Sequence, residues 1–443
     1  MLQRIGVKNF DELLSTIPEH LKLKSPLKLP PALSELELKK LMQKFSESNL
    51  NTENYISFLG AGSYDHYIPQ AVDYVIRRPE FYTAYTPYQA ETSQGTLQTI
   101  YEYQSMICEL LGMEVANASM YDGASALAEA CYMARSIKQG EILISEGVHP
   151  SYIQCVETYL GKVHRIPLKN GRTDPDALKS MLAQNQVSCV VLQHPNFFGL
   201  LEPVEELGTL AHKNNSLYIG IPLPISLGIL APPGDWSAHQ HWSAHQHWNA
   251  DIVVAEGQSL GIPQSFGGPG LGIFATRREW LRRMPGRIIG KTEDAEGKQG
   301  FVMTLQTREQ HIRRERATSN ICTNEGLCAI AACVYLTVMG VQGIREVGKL
   351  CYEKAHYLAE KISEIPGFSL AYQSPFFNEF LVHTPIDASQ IVQNLLKEHI
   401  FAGVPMSKFY KERTNELLIA VTEKRTREEL DYFVEKLKSL PGR

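Results

Sequence analysis

The chain has no excess of positive charge: 43 Lys and Arg stand against 48 Asp and Glu, a net charge of −5. Nucleic-acid binding needs a basic stripe, so no nucleic-acid partner is expected. Cysteine lacks any pairing pattern: the eight residues at 108, 131, 155, 189, 322, 328, 333 and 351 contain no CxxC. Scattered through apolar stretches, they read as buried, reduced thiols rather than as a disulfide framework. The N-terminal MLQRIGVKNFDELLSTIPEHLKLK carries acids and no apolar core segment, so it reads as neither a signal nor a transit peptide. We read no apolar run of the ~18 residues that a membrane helix needs, and the expected location is the cytoplasm. The last absence is local. No lysine lies between Lys213 and Lys291.

What is present is ordinary for a globular chain: 443 residues, 44% hydrophobic and 21% charged, long enough for a large and a smaller domain. The expected division is an N-terminal arm and interface segment over 1–90, a large α/β domain over 91–345, and a small α+β domain over 346–443. In the arm, Asp11 is placed to cap a short helix, and Ser34–Ser46 has helical apolar spacing. A short helix is expected near Gln70–Ile76 and a longer one over Thr96–Leu111. Beyond these, helices (Ala124–Ser136, Ser151–Tyr159, Asp174–Gln184, Val204–Asn214) alternate with strands (Ile142–Ser145, Cys189–Gln193, Ser216–Ile221). Such alternation predicts a mostly parallel sheet covered on both faces. Ile321–Val341 reads as a long helix closing the large domain and Val347–Ile362 as a separate amphipathic one. Phe368–Ala371, Glu379–His383, Ala388–Glu398, Glu416–Ala420 and Thr426–Leu437 supply the small domain.

The most informative stretch is Ala250–Thr276, ADIVVAEGQSLGIPQSFGGPGLGIFAT, read as strand (Asp251–Ala255), polar turn, Gly-rich loop (Ser265–Gly270) and strand (Leu271–Ala275). In pyridoxal-phosphate (PLP) enzymes of the aspartate-aminotransferase type, the turn after such a strand carries the lysine that binds the cofactor covalently. Here the turn offers Gln258, whose amide cannot form an imine. Those enzymes also place an aspartate near the position of Gly220 to pair with the pyridine nitrogen; Gly220 carries no such group. The SFGGPG loop suits close approach to a phosphate or a neighbouring chain, or simply a tight connection between strands. NASMYDGASALAEA (Asn117–Ala130) puts small and polar residues at a helix N-terminus that favours an anion, although capping by Asp122 serves equally and its charge would repel phosphate. His149 of HPSY follows a strand end, where it could stack on a pyridine ring or cap the next helix. HPNFFG follows another strand end and offers Asn196 as a donor. Arg313–Asn324 (RRERATSNICTN) opens with arginines suited to an oxyanion, or to solvent. The doubled WSAHQH over Trp236–His247 could hold a metal through its histidines, but no carboxylate or cysteine accompanies them, and we read a surface duplication and no metal site.

Taken together, FLGAGSYDHYIP, YTAYTPYQAETSQGTLQ, NASMYDGAS, HPNFFG, GIPQSFGGPGLG, RERATSNICTN and LLIAVTEKRTREELD resemble glycine decarboxylase, the P-protein of the glycine cleavage system, from arm to last helix. The likeness is to the α (subunit 1) half of the two-subunit form. It implies a fold-type-I, PLP-dependent transferase fold, with Gln258 and Gly220 at the positions of the covalent lysine and the pyridine-pairing aspartate. It further implies that PLP is bound covalently by a β subunit in an α2β2 assembly, where glycine is decarboxylated and its aminomethyl group passes to the lipoyl arm of H-protein. No catalytic residue is then expected on this chain itself. It would contribute a wall in trans: Tyr85, Tyr88, Gln89 and Glu91; then Asn117, Ser119 and Asp122; then Arg316, Thr318, Ser319 and Asn320. Tyrosines at such a place could also pack an interface without touching ligand. Two other readings compete: a free-standing PLP aminotransferase or lyase using another lysine such as Lys291, and a non-catalytic scaffold of a partner enzyme.

Overall fold

The computed structural model describes residues 1–235, 249–317 and 319–440; the duplicated histidine segment and Thr318 lie outside them. Two compact units form, Met1–Asn51 and Thr52–Arg443. In the first, Asn9 rather than Asp11 caps the short helix Phe10–Leu13, its side chain accepting from the Glu12 amide at 3.0 Å. Asp11 is already inside that helix, where its charge meets the dipole instead. Helix α1 (Glu35–Glu47) follows a capping box made by Ser34 and Glu37.

In the second unit, α2 (Gln70–Ile76) and α3 (Gln94–Leu111) precede a seven-stranded sheet. Its strands are β1 (Val115–Ala116), β2 (Glu141–Ser145), β3 (His164–Ile166), β4 (Val187–His194), β5 (Leu217–Pro222), β6 (Ile252–Glu256) and β7 (Gly272–Thr276). Their spatial order is β1-β7-β6-β5-β4-β2-β3. Strands β3, β2, β4, β5 and β6 run parallel, while β7 is antiparallel to β6 and β1. The central strands are apolar on both faces because helices cover both: α4 (Gly123–Ile137), α5 (Pro150–Leu160), α6 (Pro175–Gln184) and α7 (Val204–Lys213). An antiparallel hairpin, β8 (Ile288–Glu293) with β9 (Gln299–Thr304), packs on α3.

The two helices expected over 321–341 and 347–362 are one element, α8 (Gly326–Ser363), broken only at Gly340, whose φ is 58°. It starts at Gly326 rather than Ile321 because the preceding backbone is held extended by side chains. The Tyr121 hydroxyl accepts from the Cys322 amide and Ser119 Oγ accepts from the Glu325 amide. The first half of α8 also departs from expectation, being apolar and long enough to cross a membrane. Ala329–Cys333 and Tyr335 bury that face in the core of the large domain, which is why a core helix can carry such a composition. The second half enters another core with Ala355, Leu358, Ala359 and Ile362.

That second core belongs to a small sheet of β10 (Ser369–Leu370), β11 (Glu379–His383), β12 (Val404–Pro405) and β13 (Glu416–Ala420), with α9 (Ala388–Leu396) and α10 (Arg427–Lys438). Phe58 stacks on Phe433 at 4.2 Å inside it, and burying such a ring contributes roughly 2–3 kcal/mol. So the Phe58–Pro69 segment is fastened to the C-terminal sheet. The His66–Glu423 pair at 2.7 Å and the Lys424–Asp65 pair at 2.7 Å add to that fastening. All eight cysteines are unpaired; Cys131, Cys189, Cys333 and Cys351 are buried, while Cys322 is exposed.

Candidate active site

In an open α/β sheet, ligands sit beyond the carboxyl ends of the strands. Here those ends are filled. The loop after β2 brings His149, that after β4 brings Pro195, Asn196 and Gly199, that after β5 brings Pro222–Pro224, and that after β6 brings Gln258 and Ser259. The Gly62–Tyr64 turn and Glu379 close the top, leaving about 40 Å³. A site of that size holds a few waters, not a pyridine ring with its phosphate.

Gln258, Glu379 and His149 are already bound to this chain, while the buried Ser259 hydroxyl has no partner among the described residues. Gln258 Oε1 accepts from the Tyr64 amide (3.2 Å) and its Nε2 donates to Ile262 O (2.6 Å). Glu379 accepts from the Ala61 amide (2.7 Å) and from the Tyr64 hydroxyl (2.8 Å). A Cβ on Gly60 would lie 2.1 Å from Glu379 Oε1, so the turn can pass only as glycine. Burial raises the Glu379 carboxyl to about 7, against the lowering effect of those two donors. His149 meets one of its two expectations directly: its Nδ1 accepts from the Ser151 amide (3.1 Å), capping α5. The proton is then on Nε2, which donates to Ala61 O at 3.0 Å, and burial lowers the ring's pKa so that it stays neutral. The ring lies edge-on to Phe197 at 4.8 Å, inside the cavity wall.

The helix N-terminus at Asn117–Ala130 is also taken. Asp122 caps α4, its Oδ1 accepting from the Ser125 amide at 2.7 Å. Glu256 accepts from the amides of Gly123 (3.0 Å), Gln258 (2.9 Å) and Leu271 (2.8 Å). Two carboxyl groups therefore stand where an incoming phosphate would need free N–H groups. The SFGGPG loop leans its end on them, since a Cβ on Gly270 would sit 3.0 Å from Asp122 Cβ, while its tip exposes Phe266. Gly220 lies in mid-β5, paired with Leu192 and Val253, and brings no carboxyl of its own. Lys291 is exposed on the β8–β9 hairpin and does not line the cavity. Without an amine, a ring-pairing acid, a free phosphate cradle or room, the strand-end site of this chain does not fit PLP. A Gln258→Lys chain, purified alone and incubated with PLP, is accordingly expected to show no borohydride-reducible cofactor. A stoichiometric reducible adduct at the substituted position would contradict this account of the pocket.

The remaining predicted residues lie elsewhere. Tyr85 and Tyr88 are exposed (79% and 52%), and Gln89 and Glu91 are exposed beside them. Asn117 and Ser119 are buried: Asn117 Nδ2 donates to Pro285 O at 3.0 Å, and Ser119 holds φ 89° with its amide donating to Asn117 Oδ1. Arg316 points to solvent with only Glu315 nearby at 3.9 Å, and Asn320 is exposed. Ser319 borders a separate hollow with Glu129, Tyr132 and Tyr159. Arg287 joins the tyrosine segment (Thr86, Tyr88) to Asn324, whose Nδ2 donates to Ala118 O between Asn117 and Ser119, while Arg316 stands apart. Sequence reasoning missed Tyr64, Glu256, Glu379 and Arg287. The only signal for the acids was a Glu beginning or ending an apolar strand, and for Arg287 a lone arginine in PGRIIG.

Comparison with known proteins gives the family. Residues 1–437 match the family model of the glycine cleavage system P-protein. The chain is 52% identical to a probable glycine dehydrogenase (decarboxylating) subunit 1 of Chlorobium limicola, covering 99% of this chain and 97% of that one. It is 49% identical to the protein of the same name in Chlorobaculum tepidum, over 99% and 97% of the two chains. A crystal structure of glycine decarboxylase (P-protein) in inhibitor-bound form superposes with a TM-score of 0.88 at 40% identity, covering 99% of this chain and 96% of that one. Mouse CSAD, at 14% identity and a TM-score of 0.70, shares the fold alone. The fold is that of the type-I PLP enzymes, and the chain belongs to the P-protein family of the glycine cleavage system, in its subunit-1 form, as part of the glycine-decarboxylating enzyme.

Proposed function

We propose that this chain is the half of a shared glycine-decarboxylating site that carries no cofactor. A β subunit would hold PLP covalently, in an α2β2 assembly in the cytoplasm, and the aminomethyl group would pass to the lipoyl arm of H-protein. The observation that carries this reading is the closed strand-end pocket: with Gln258 bonded at both ends and about 40 Å³ free, the chain has no place for the cofactor its fold is built around. PLP supplies the electron sink for decarboxylation when bound. What this chain supplies is surface: Tyr85, Tyr88, Gln89 and Glu91 form a polar, aromatic ridge left uncovered in the single chain. Tyrosine combines a large rigid contact area with a hydroxyl that can orient a ligand. Asn117, Ser119 and Asp122 fix the floor behind the ridge rather than touching ligand themselves, and Arg316, Thr318, Ser319 and Asn320 are a weaker set of candidates for contact with the partner.

The test is reconstitution. The chain alone should bind no PLP and exchange no glycine carboxyl carbon with bicarbonate, and adding the β subunit should start the exchange. Within that complex, Tyr88→Phe with Gln89→Ala should lower exchange about tenfold or more, the range lost when a positioned contact is misplaced. Full exchange by the β subunit without this chain would instead support the scaffold reading.

A further inference from the structure

Arg287 is 3% exposed and sits where three separate segments of the proposed wall meet. Its Nη1 donates to Thr86 Oγ1 at 3.1 Å and to Asn324 Oδ1 at 3.3 Å, and its Nη2 donates to the Tyr88 hydroxyl at 3.1 Å. Its carbonyl accepts from the Ala118 amide at 2.8 Å, and Asn324 Nδ2 donates to Ala118 O at 2.8 Å. The tyrosine segment, the Asn117–Ser119 turn and the approach to α8 are thus all tied to one residue. Glu309 is its nearest carboxylate, at 3.7 Å from Nε, too long for a hydrogen bond. The guanidinium therefore spends its donors on neutral oxygens, a use that the ion pair alone does not require.

The direction of these bonds has a chemical consequence. A guanidinium only donates, so Thr86 Oγ1 and the Tyr88 oxygen are the acceptors. Each hydroxyl keeps its own proton, and among the described residues neither proton is given to an acceptor. Tyr88 is 52% exposed and Thr86 half-buried beside it, so both hydroxyl protons remain available to a group that seats on the ridge. Two O–H donors with no acceptor on this chain, backed by a buried cation, suit an oxyanion.

We propose that Arg287 is a positioning residue that aims the Thr86 and Tyr88 hydroxyls at an anionic group held by the partner subunit, a carboxylate or a phosphate. This rests on the shared-site reading above. Lysine in its place keeps the charge and loses the fork, so it cannot hold Thr86, Tyr88 and Asn324 together.

The experiment uses the reconstituted complex with Arg287→Lys, Tyr88→Phe, and both together. Assembly is followed by light scattering, glycine KM and kcat by bicarbonate exchange, and cofactor affinity by PLP titration. Arg287→Lys should assemble at unchanged mass and lower kcat/KM about tenfold. A rise in glycine KM assigns the substrate carboxylate, and a fall in PLP affinity assigns the cofactor phosphate. The double variant should be no more than twofold slower than Arg287→Lys, since without Arg287 the Tyr88 hydroxyl is already mis-aimed. The proposal is overturned if Tyr88→Phe is impaired while Arg287→Lys stays within twofold of the parent, or if the two losses multiply. If Arg287→Lys does not assemble, Thr86→Ala and Asn324→Ala decide: each should lower kcat/KM at least threefold, and parental rates in both overturn it. If Tyr88→Phe, Thr86→Ala and Asn324→Ala all turn over normally with Arg287→Lys impaired, the shared wall itself has failed rather than its support.

Discussion

A chain carrying Gly199→Ala is expected to lose about 4 kcal/mol or more of stability, among the largest effects of a single methyl group. Gly199 has φ 80°, and a Cβ there would lie 1.8 Å from the carbonyl oxygen of Glu379. That atom belongs to the backbone of β11, so it cannot swing aside as a side-chain tip would. The surrounding ladder is tight as well: the Phe377 amide donates to Gly199 O (3.1 Å) and the Leu201 amide to Pro375 O (2.8 Å). Relief would mean parting the large domain from the small sheet just above the strand-end cavity. Gly267→Ala is the control, since Gly267 also has positive φ (116°) but meets nothing within 4 Å; it should cost only the conformational term of about 1–2 kcal/mol. For a chain of this length, thermal denaturation should show a Gly199→Ala midpoint lower by about 5 °C, with Gly267→Ala close to the parent. Equal midpoints for the two variants would contradict the clash.

The second large effect is a dependence of stability on pH that runs opposite to the usual acid denaturation. Burial raises the carboxyls of Glu129, Glu202 and Glu379 to about 7 each. Such a group is protonated in the fold and ionised in the unfolded chain between about 4.5 and 7. The folded state then binds the extra proton, so the contribution is complete below about 4.5 and is lost as pH rises to about 7, on the order of 3 kcal/mol per group. His194 works the other way: burial lowers it to about 4, so its stabilisation is complete above about 6.5 and is lost as pH falls toward 4. Three groups outweigh one. Among these four, the balance favours pH 5 over pH 8. Glu379→Gln isolates one share, because the amide is neutral at every pH, nearly the same size, and its oxygen still accepts from the Ala61 amide. Relative to the parent, its urea midpoint should improve markedly between pH 5 and pH 8. A difference that stays constant with pH would show that Glu379 is not protonated in the fold.

Much of the architecture was legible in the residues. The alternation of β-branched runs with alanine-rich or amphipathic segments placed β2, β4, β5 and β6 within two residues of their ends, because a doubly covered strand must be apolar throughout; the short parallel edge strand β3, HRI with an exposed Arg165, carried no such run and was missed. The boundary near Ile321 was not legible: its helical composition is real, but Ser119 and Tyr121, two hundred residues earlier, hold that backbone extended. The same holds at the site. Gln258 announced a missing amine by its identity alone, and its burial against Tyr64 and Ile262 fits that reading. Glu256, Glu379 and Arg287 stayed hidden because their importance lies in contacts across the chain. A carboxyl bonded to three amides from two loops carries no local periodicity.

Helix α8 belongs to both cores. Its first half, together with Ile344, Val347 and Cys351 past the break at Gly340, lies in the core around the large sheet, and its last turns, from Ala355 on, lie in the core under the small one. The helix just beyond the break is tightly seated, since a Cβ on Gly228 would meet Ile344 O at 2.3 Å. One rod thus rivets the two sheets together, and pulling them apart would have to strip the same helix from both.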